Sequence, residues 1–155
     1  MKKLLVLSSL CLVLVGCAGT SLAIQTPFKF SSSEKFSFQI NPQVDVSAEA
    51  LEIMNERIQS QLAGSLDLPS SQGVKKVQIA IISYRMRDDV TRALVGIFAG
   101  TDYITSQVTV TDGTTANVIA GFTVKSLNDS AWGPSRSLIE RHADNIVSYL
   151  KNGRP

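Results

Sequence analysis

Three runs of alternating residues in the middle of the chain constrain its fold more than any other feature. Val77, Ile79 and Ile81 alternate with Gln78, Ala80 and Ile82. Ile104, Ser106, Val108 and Val110 alternate with Thr105, Gln107, Thr109 and Thr111. Val118, Ala120, Phe122 and Val124 then share one face, with Gly121, Thr123 and Lys125 on the other. A period of two is that of a strand, whose successive side chains point to opposite faces. The first run is apolar on both faces near its middle, which suits a central strand reaching about Met86. Between the other two, Asp112-Gly113 is a hairpin signal in which Gly supplies a positive φ. A sheet made this way has one face that must be covered and one that meets water.

Two helical patterns can supply the cover. Ser47 is an N-cap residue with Glu49 and Glu52 in the first turn, where the helix dipole favours anions. Leu51, Met54, Ile58 and Leu62 fall on one face, and Gly64 suits the C′ position. Near the end of the chain, Gly133-Pro134 opens a second helix, with Pro at a position where its missing N–H costs nothing. Its stripe is Leu138, His142, Ile146 and Leu150; Lys151 complements the dipole and Gly153 ends it. A further strand, Phe36, Phe38 and Ile40 alternating with Ser37 and Gln39, precedes the first helix and stops at Asn41-Pro42. The expected fold class is α+β: a two-layer sandwich, mostly antiparallel, of about four strands with two helices on one face. The order is strand-helix-strand-strand-strand-helix.

The first residues say where the protein resides. Lys2 and Lys3 precede twelve residues, Leu4 to Val15, that are apolar except for Ser8 and Ser9. As a helix they would reach about 18 Å, short of the roughly 30 Å hydrocarbon core, so this is a secretory leader and not a span. Leu14-Val15-Gly16-Cys17 looks like a bacterial lipobox, in which the Cys thiol takes a diacylglycerol and the chain is cut before it. Cys11 has no small residue at the corresponding cut. Each buried methylene contributes roughly 0.8 kcal/mol, so two or three acyl chains, palmitate among them, make a lasting anchor. Ala18 follows where enteric lipoproteins kept in the inner membrane commonly carry Asp. By that resemblance the expected location is the periplasmic face of the outer membrane. Residues 1–16 are thus read as signal peptide and 17–34, rich in Gly, Ser, Thr and Pro, as a lipidated flexible tether. Phe28 and Phe30 qualify the tether, since they could form a short edge strand. Residues 35–155 are read as one periplasmic domain.

Charge and chemistry-bearing residues exclude more than they identify. The chain has 15 Lys+Arg against 13 Asp+Glu; without Lys2 and Lys3 the balance is 13 to 13. A neutral chain with no basic block is a poor nucleic-acid binder. No cysteine follows Cys17, so the domain has no disulfide, thiol nucleophile or thiolate-held metal. His142 is the one histidine. Its neighbours one turn away are Leu138 and Ile146, which reads as a packed, hydrogen-bonded core residue, not a catalytic base or metal ligand. Asp88-Asp89 sits among Arg85, Arg87 and Arg92 and reads as a solvated, charge-balanced turn. The Thr-rich face (Thr105, Gln107, Thr109, Thr111, Thr123) reads as solvated, with docking as the alternative. No enzyme activity, catalytic residue, metal or cofactor is expected.

The segment Arg92 to Gly100 holds four large apolar residues, Leu94, Val95, Ile97 and Phe98, the last two between Gly96 and Gly100. It is too short to span a membrane. It is either a buried connection or an exposed element touching a partner or lipid. This Arg-x-x-x-Gly-x-x-x-Gly segment, the Val108 to Gly113 strand and turn, and the His142 to Leu150 helix resemble a small uncharacterised bacterial lipoprotein family. The likeness covers residues 75–151. The expected topology is similar to periplasmic domains of envelope-assembly lipoproteins, such as the amino-terminal domain of TolB, and of auxiliary lipoproteins of ABC transporters. The resemblance implies a non-enzymatic accessory or assembly factor of a cell-envelope complex. It also implies an envelope protein partner besides the outer membrane that holds the lipid anchor. The alternative is a binding module for an apolar ligand, such as a lipid or peptidoglycan fragment, held between helices and sheet.

Overall fold

The computed structural model describes residues 19–28, 30–31, 33–87, 100–128 and 135–153. Among them the elements run β1 (Gly19–Thr26), β2 (Phe36–Pro42), α1 (Ala48–Leu62), β3 (Lys75–Arg85), β4 (Asp102–Asp112), β5 (Val118–Asn128) and α2 (Ser135–Asn152). The strands form one sheet in the order β1-β5-β4-β3-β2. All pairings are antiparallel except β2 with β3, which flank the α1 crossover and run parallel. The expected α+β architecture holds, with one strand more than expected.

That extra strand corrects the reading of residues 17–34 as a flexible tether. β1 pairs with β5 from Gly19 opposite Leu127 to Thr26 opposite Gly121. Composition alone hid it, because an edge strand borrows its order from its neighbour's backbone and needs little apolar surface of its own. Side chains reinforce the ladder: Thr20 Oγ1 lies 3.1 Å from Ser126 Oγ, and Gln25 Nε2 donates to Thr123 Oγ1 at 2.8 Å. Beyond the strand, Phe28, Phe30 and Phe36 form a chain of ring contacts at 4.8 and 5.5 Å, and Phe30 is buried.

One face of the sheet carries the core. Val77, Ile79, Ile81, Ile104, Val108, Val110, Ala120, Phe122 and Val124 point to it, as the alternation requires, and both helices pack there. α1 contributes Ile53, Met54, Ile58 and Leu62; α2 contributes Leu138, Ile139, Ala143, Ile146, Val147, Tyr149 and Leu150. Phe122 and Tyr149 meet at 4.2 Å between ring centres. The helices run side by side in the same direction, with Arg57 gripping Asp144 through two bonds (2.6 and 3.0 Å) and Lys151 Nζ donating to the Gln61 carbonyl at 2.5 Å. Ser47 caps α1 by accepting from Ala50 N, a bond that contributes about 1 kcal/mol in such positions.

Two local expectations need correcting. Val118 does not join the buried face and is 58% exposed, because the ladder is irregular where Thr111 meets it. The turn between β4 and β5 is also longer than a two-residue Asp-Gly hairpin. Ala116 N donates to the Asp112 carbonyl and Asp112 N to the Asn117 carbonyl, both at 2.9 Å, and the positive φ (59°) falls on Ala116. Gly113 is required for a different reason: a Cβ there would collide with the Val74 carbonyl oxygen. Gly153, in contrast, takes the expected left-handed conformation after α2 (φ 67°). Gly113→Ala should therefore destabilise the domain by more than about 1 kcal/mol, while Ala116→Gly should be neutral or stabilise by up to about 1 kcal/mol. Thermal melts of the two variants check this, and the opposite order would refute the assignment of the two roles.

Candidate functional site

The ladder brings the described flanks of the segments that carry the sequence candidates to one end of the sheet. Gly19 lies opposite Leu127, Asn128 opposite Asp102, Tyr103 opposite Arg85, and Ile81 opposite Pro42. The start of β1, the end of β5, the start of β4 and the ends of β3 and β2 therefore share one edge of the molecule. Both helices also begin there: Ser47 Oγ lies 3.2 Å from the Tyr84 hydroxyl, and Ser135 Oγ donates to the Arg87 carbonyl at 3.5 Å. Cys17, Leu94, Val95, Ile97 and Phe98, like Asp88-Asp89 and Gly133-Pro134, lie outside the described residues.

An ion pair that sequence reasoning missed closes this end. Arg87 donates from Nε (2.8 Å) and from its backbone N (3.0 Å) to Asp102 Oδ1. The two side chains are only 5% and 0% exposed. The local pattern groups Arg87 with a solvated charged turn, since nothing in it announces that Asp102, fifteen residues on, arrives beside it. Among the described residues its Nη2, which is buried, has no hydrogen-bond partner. Beside it a cavity of about 580 Å³ opens between the two helix starts, lined by Ser47, Glu49, Tyr84, Met86, Arg87 and Arg136. Removing one partner of such a pair leaves a buried charge, at a cost of about 3–5 kcal/mol, while replacing both by apolar residues is often nearly neutral. Asp102→Leu alone should thus lower the denaturant midpoint sharply. Arg87→Met with Asp102→Leu should recover most of the loss; a double variant as unstable as the single would overturn this account.

His142 is fully buried at the centre of the covered face, as a packed, hydrogen-bonded residue. Its Nδ1 lies 3.0 Å from Ser126 Oγ and its Nε2 2.8 Å from Ser106 Oγ. One ring nitrogen donates and the other accepts, and each hydroxyl rotates to suit. A hint of this was present in the alternation: Ser106 occupies an apolar-face position, and Ser126 continues the buried face of β5. No carboxylate orients the ring, so the arrangement is not that of an activated base. Burial pushes its pKa down to about 3. The unfolded chain, with an ordinary value near 6.5, then binds the proton that the folded state refuses, so stability is complete above that value and falls as pH drops toward 3. From pH 7 to 5.5, where carboxylates stay ionised, this should remove about 1.3 kcal/mol in all, a mean slope of about 0.8 kcal/mol per pH unit. His142→Leu strands Ser106, at about 1–3 kcal/mol, and should abolish the slope. Urea melts at the two pH values decide; an equal slope in the variant would refute it.

The open face of the sheet is polar, with Gln78, Thr105, Gln107, Thr109, Thr111, Thr123 and Lys125 partly or fully exposed. Near the same end as the ion pair it holds a shallow cavity of about 590 Å³ between Tyr103, Thr105, Lys125 and Leu127. At the other end Lys75 donates to Asp112 at 2.5 Å, and Thr115 and Thr114 donate backbone N–H bonds to it. These bonds, the lysine's first, hold its carboxyl well below the usual carboxylate range and lock the β4–β5 turn. Among the described residues no group of three or more His, Cys, Asp and Glu is placed to hold a metal ion. Among them, too, no helix is long and apolar enough to cross a membrane.

No family model matches the chain, and no curated protein does. Solved structures do. PelC of Paraburkholderia phytofirmans, determined as a dodecamer in two crystal forms, one of them a point variant, superposes with a TM-score of 0.63 at 11% identity. The match covers 86% of this chain and 98% or 99% of PelC. A candidate lipoprotein from Caulobacter crescentus matches with a TM-score of 0.37 at 16% identity, over 72% of this chain and 86% of its own. At such identity the likeness to PelC is one of fold: this chain has the fold of the PelC subunit.

Proposed function

We propose that the protein is a lipid-anchored lipoprotein of the cell envelope, carried on the periplasmic face of the outer membrane. There it acts as a non-enzymatic accessory or assembly factor. The observation that carries this reading is the lipobox Leu14-Val15-Gly16-Cys17 standing directly ahead of a domain with the PelC fold. The chemistry of the domain agrees: the one histidine is consumed in a buried network, and the buried arginine is bound to an aspartate. PelC was solved as a dodecamer, so a second copy of this chain is the first partner to look for, ahead of other envelope proteins. The apolar-ligand alternative has less support. The layer between helices and sheet, where the ligand would lie, is filled by Ile58, Leu62, Ile79, Phe122, Ile146 and Tyr149, each buried to within 1% of full exclusion.

Cys17→Ser should abolish acylation and leave the leader uncut, as read by mass spectrometry of the N-terminus. An unmodified N-terminus at another position in the wild-type protein would end the lipoprotein reading. Affinity purification after crosslinking in cells, with native mass spectrometry of the purified lipidated protein, should yield a homo-oligomer or a defined envelope partner. A lone monomer in both measurements would sink the accessory role.

A further inference from the structure

We propose that the open face of the sheet is a docking surface for a second copy of this chain, which meets it with the outer face of its α1. The inference rests on the reading of a second copy as the first partner, and it names the two surfaces that join.

The even balance of charge along the chain hides a separation of charge between its two layers. Side chains alternate along each strand, so Lys76 of β3 and Lys125 of β5 point away from the core, and both are exposed. Among the described residues neither lysine has an ion-pair partner. Arg85, opposite Tyr103 in the ladder, adds a third positive charge to the same face. Gln78, Gln107, Thr109 and Thr123 lie between these cations, and no described residue of the face is Asp or Glu. Beside Lys125 the shallow cavity lined by Tyr103 and Leu127 offers apolar surface to bury next to the charge.

α1 carries the opposite sign. Ala50, Met54, Ile58 and Leu62 face the core, and at about 100° per residue Glu49, Glu52 and Glu56 fall on the opposite side of the helix. All three are exposed, and none pairs with a described cation. Arg57, the one cation of the helix, turns instead toward α2, where it binds Asp144. One molecule thus presents a basic face and an acidic face on opposite layers. Such faces suit a heterologous, head-to-tail contact that repeats from copy to copy and closes into a ring or grows as a filament. Like faces of two copies repel, which disfavours an isologous dimer through either one. An unrelated acidic partner would satisfy the lysines but leave the glutamates of α1 unmatched. A second copy matches both.

The test uses the full lipidated chain in a neutral detergent, followed by sedimentation and native mass spectrometry. Lys76→Glu with Lys125→Glu makes the sheet face acidic, and Glu52→Lys with Glu56→Lys makes the α1 face basic. Each double variant alone should weaken self-association about tenfold or more with an unchanged thermal melt. Mixing the two puts opposite charges at every contact again, so oligomers holding both chains in equal number should return. Salt should weaken the wild-type oligomer in the same way. Should a reversal lower the melt, Lys76→Gln with Lys125→Gln and Glu52→Gln with Glu56→Gln take its place, and a several-fold weakening is then required. A homo-oligomer that resists these changes, or a mixture of well-folded variants that stays apart, defeats this inference alone. Capture of a different envelope protein with no homo-oligomer also defeats it and leaves the accessory reading standing. A lone monomer with no captured partner defeats both.

Discussion

A polar knot inside an apolar layer organises the whole domain. Ser106 of β4, His142 of α2, Ser126 of β5 and Thr20 of β1 are joined by hydrogen bonds of 2.8, 3.0 and 3.1 Å. Asn145, one turn after Arg141, extends the knot from α2 to Thr20 at 3.4 Å. Each of these groups would be costly to bury alone, and together they satisfy one another. An apolar stripe by itself allows a helix to slide or rotate on a sheet with modest loss. A ring whose two nitrogens must meet two particular hydroxyls does not. The position of α2 on the sheet is set by that requirement; α1 packs beside it through its own apolar stripe, and the half-exposed Arg57–Asp144 pair adds little.

The two ends of the sheet are built on different principles. One is made of tight backbone bonding: the Asp112 carboxylate gathers Lys75 and the N–H groups of Thr114 and Thr115, and Gly113 lies against the Val74 carbonyl. The other end holds both helix starts around a buried ion pair, Arg87 with Asp102. The β3–β4 and β5–α2 connections leave and return at that side.

Most of the fold was legible because strands with one wet face write a period of two into the sequence. β3, β4 and β5 follow the alternation of Val77, Ile104 and Ala120, and both helices follow their stripes. His142 was legible for the same reason, as a polar residue on an apolar stripe. What escaped the sequence depends on partners distant along the chain. β1 contains nothing that demands a strand until β5 offers its edge. Arg87 looks solvated until Asp102 arrives beside it. Gly113 suggests a flexible φ, while the constraint acting on it is the carbonyl of Val74. The candidate site is legible in part: the lipobox-like stretch Leu14-Val15-Gly16-Cys17 is a local pattern, whereas the sheet end where β1 begins exists only after folding.

The pairing of the first strand with the last has a consequence for the order in which the molecule is assembled. Synthesis proceeds from the N-terminus, and Thr20 must wait for Ser126, 106 residues later, before its bond can form. β2, α1, β3 and β4 can associate through nearer neighbours, but β1 stays an unpaired edge with exposed N–H and C=O groups until β5 is in place. Closing so distant a contact carries the largest loop-entropy cost in the sheet, and it falls to the strand with the least apolar surface to repay it. β1 is thus the natural last piece. Until it docks, the free edge of β5 is where a nascent chain is most open to pairing with a neighbouring copy of itself.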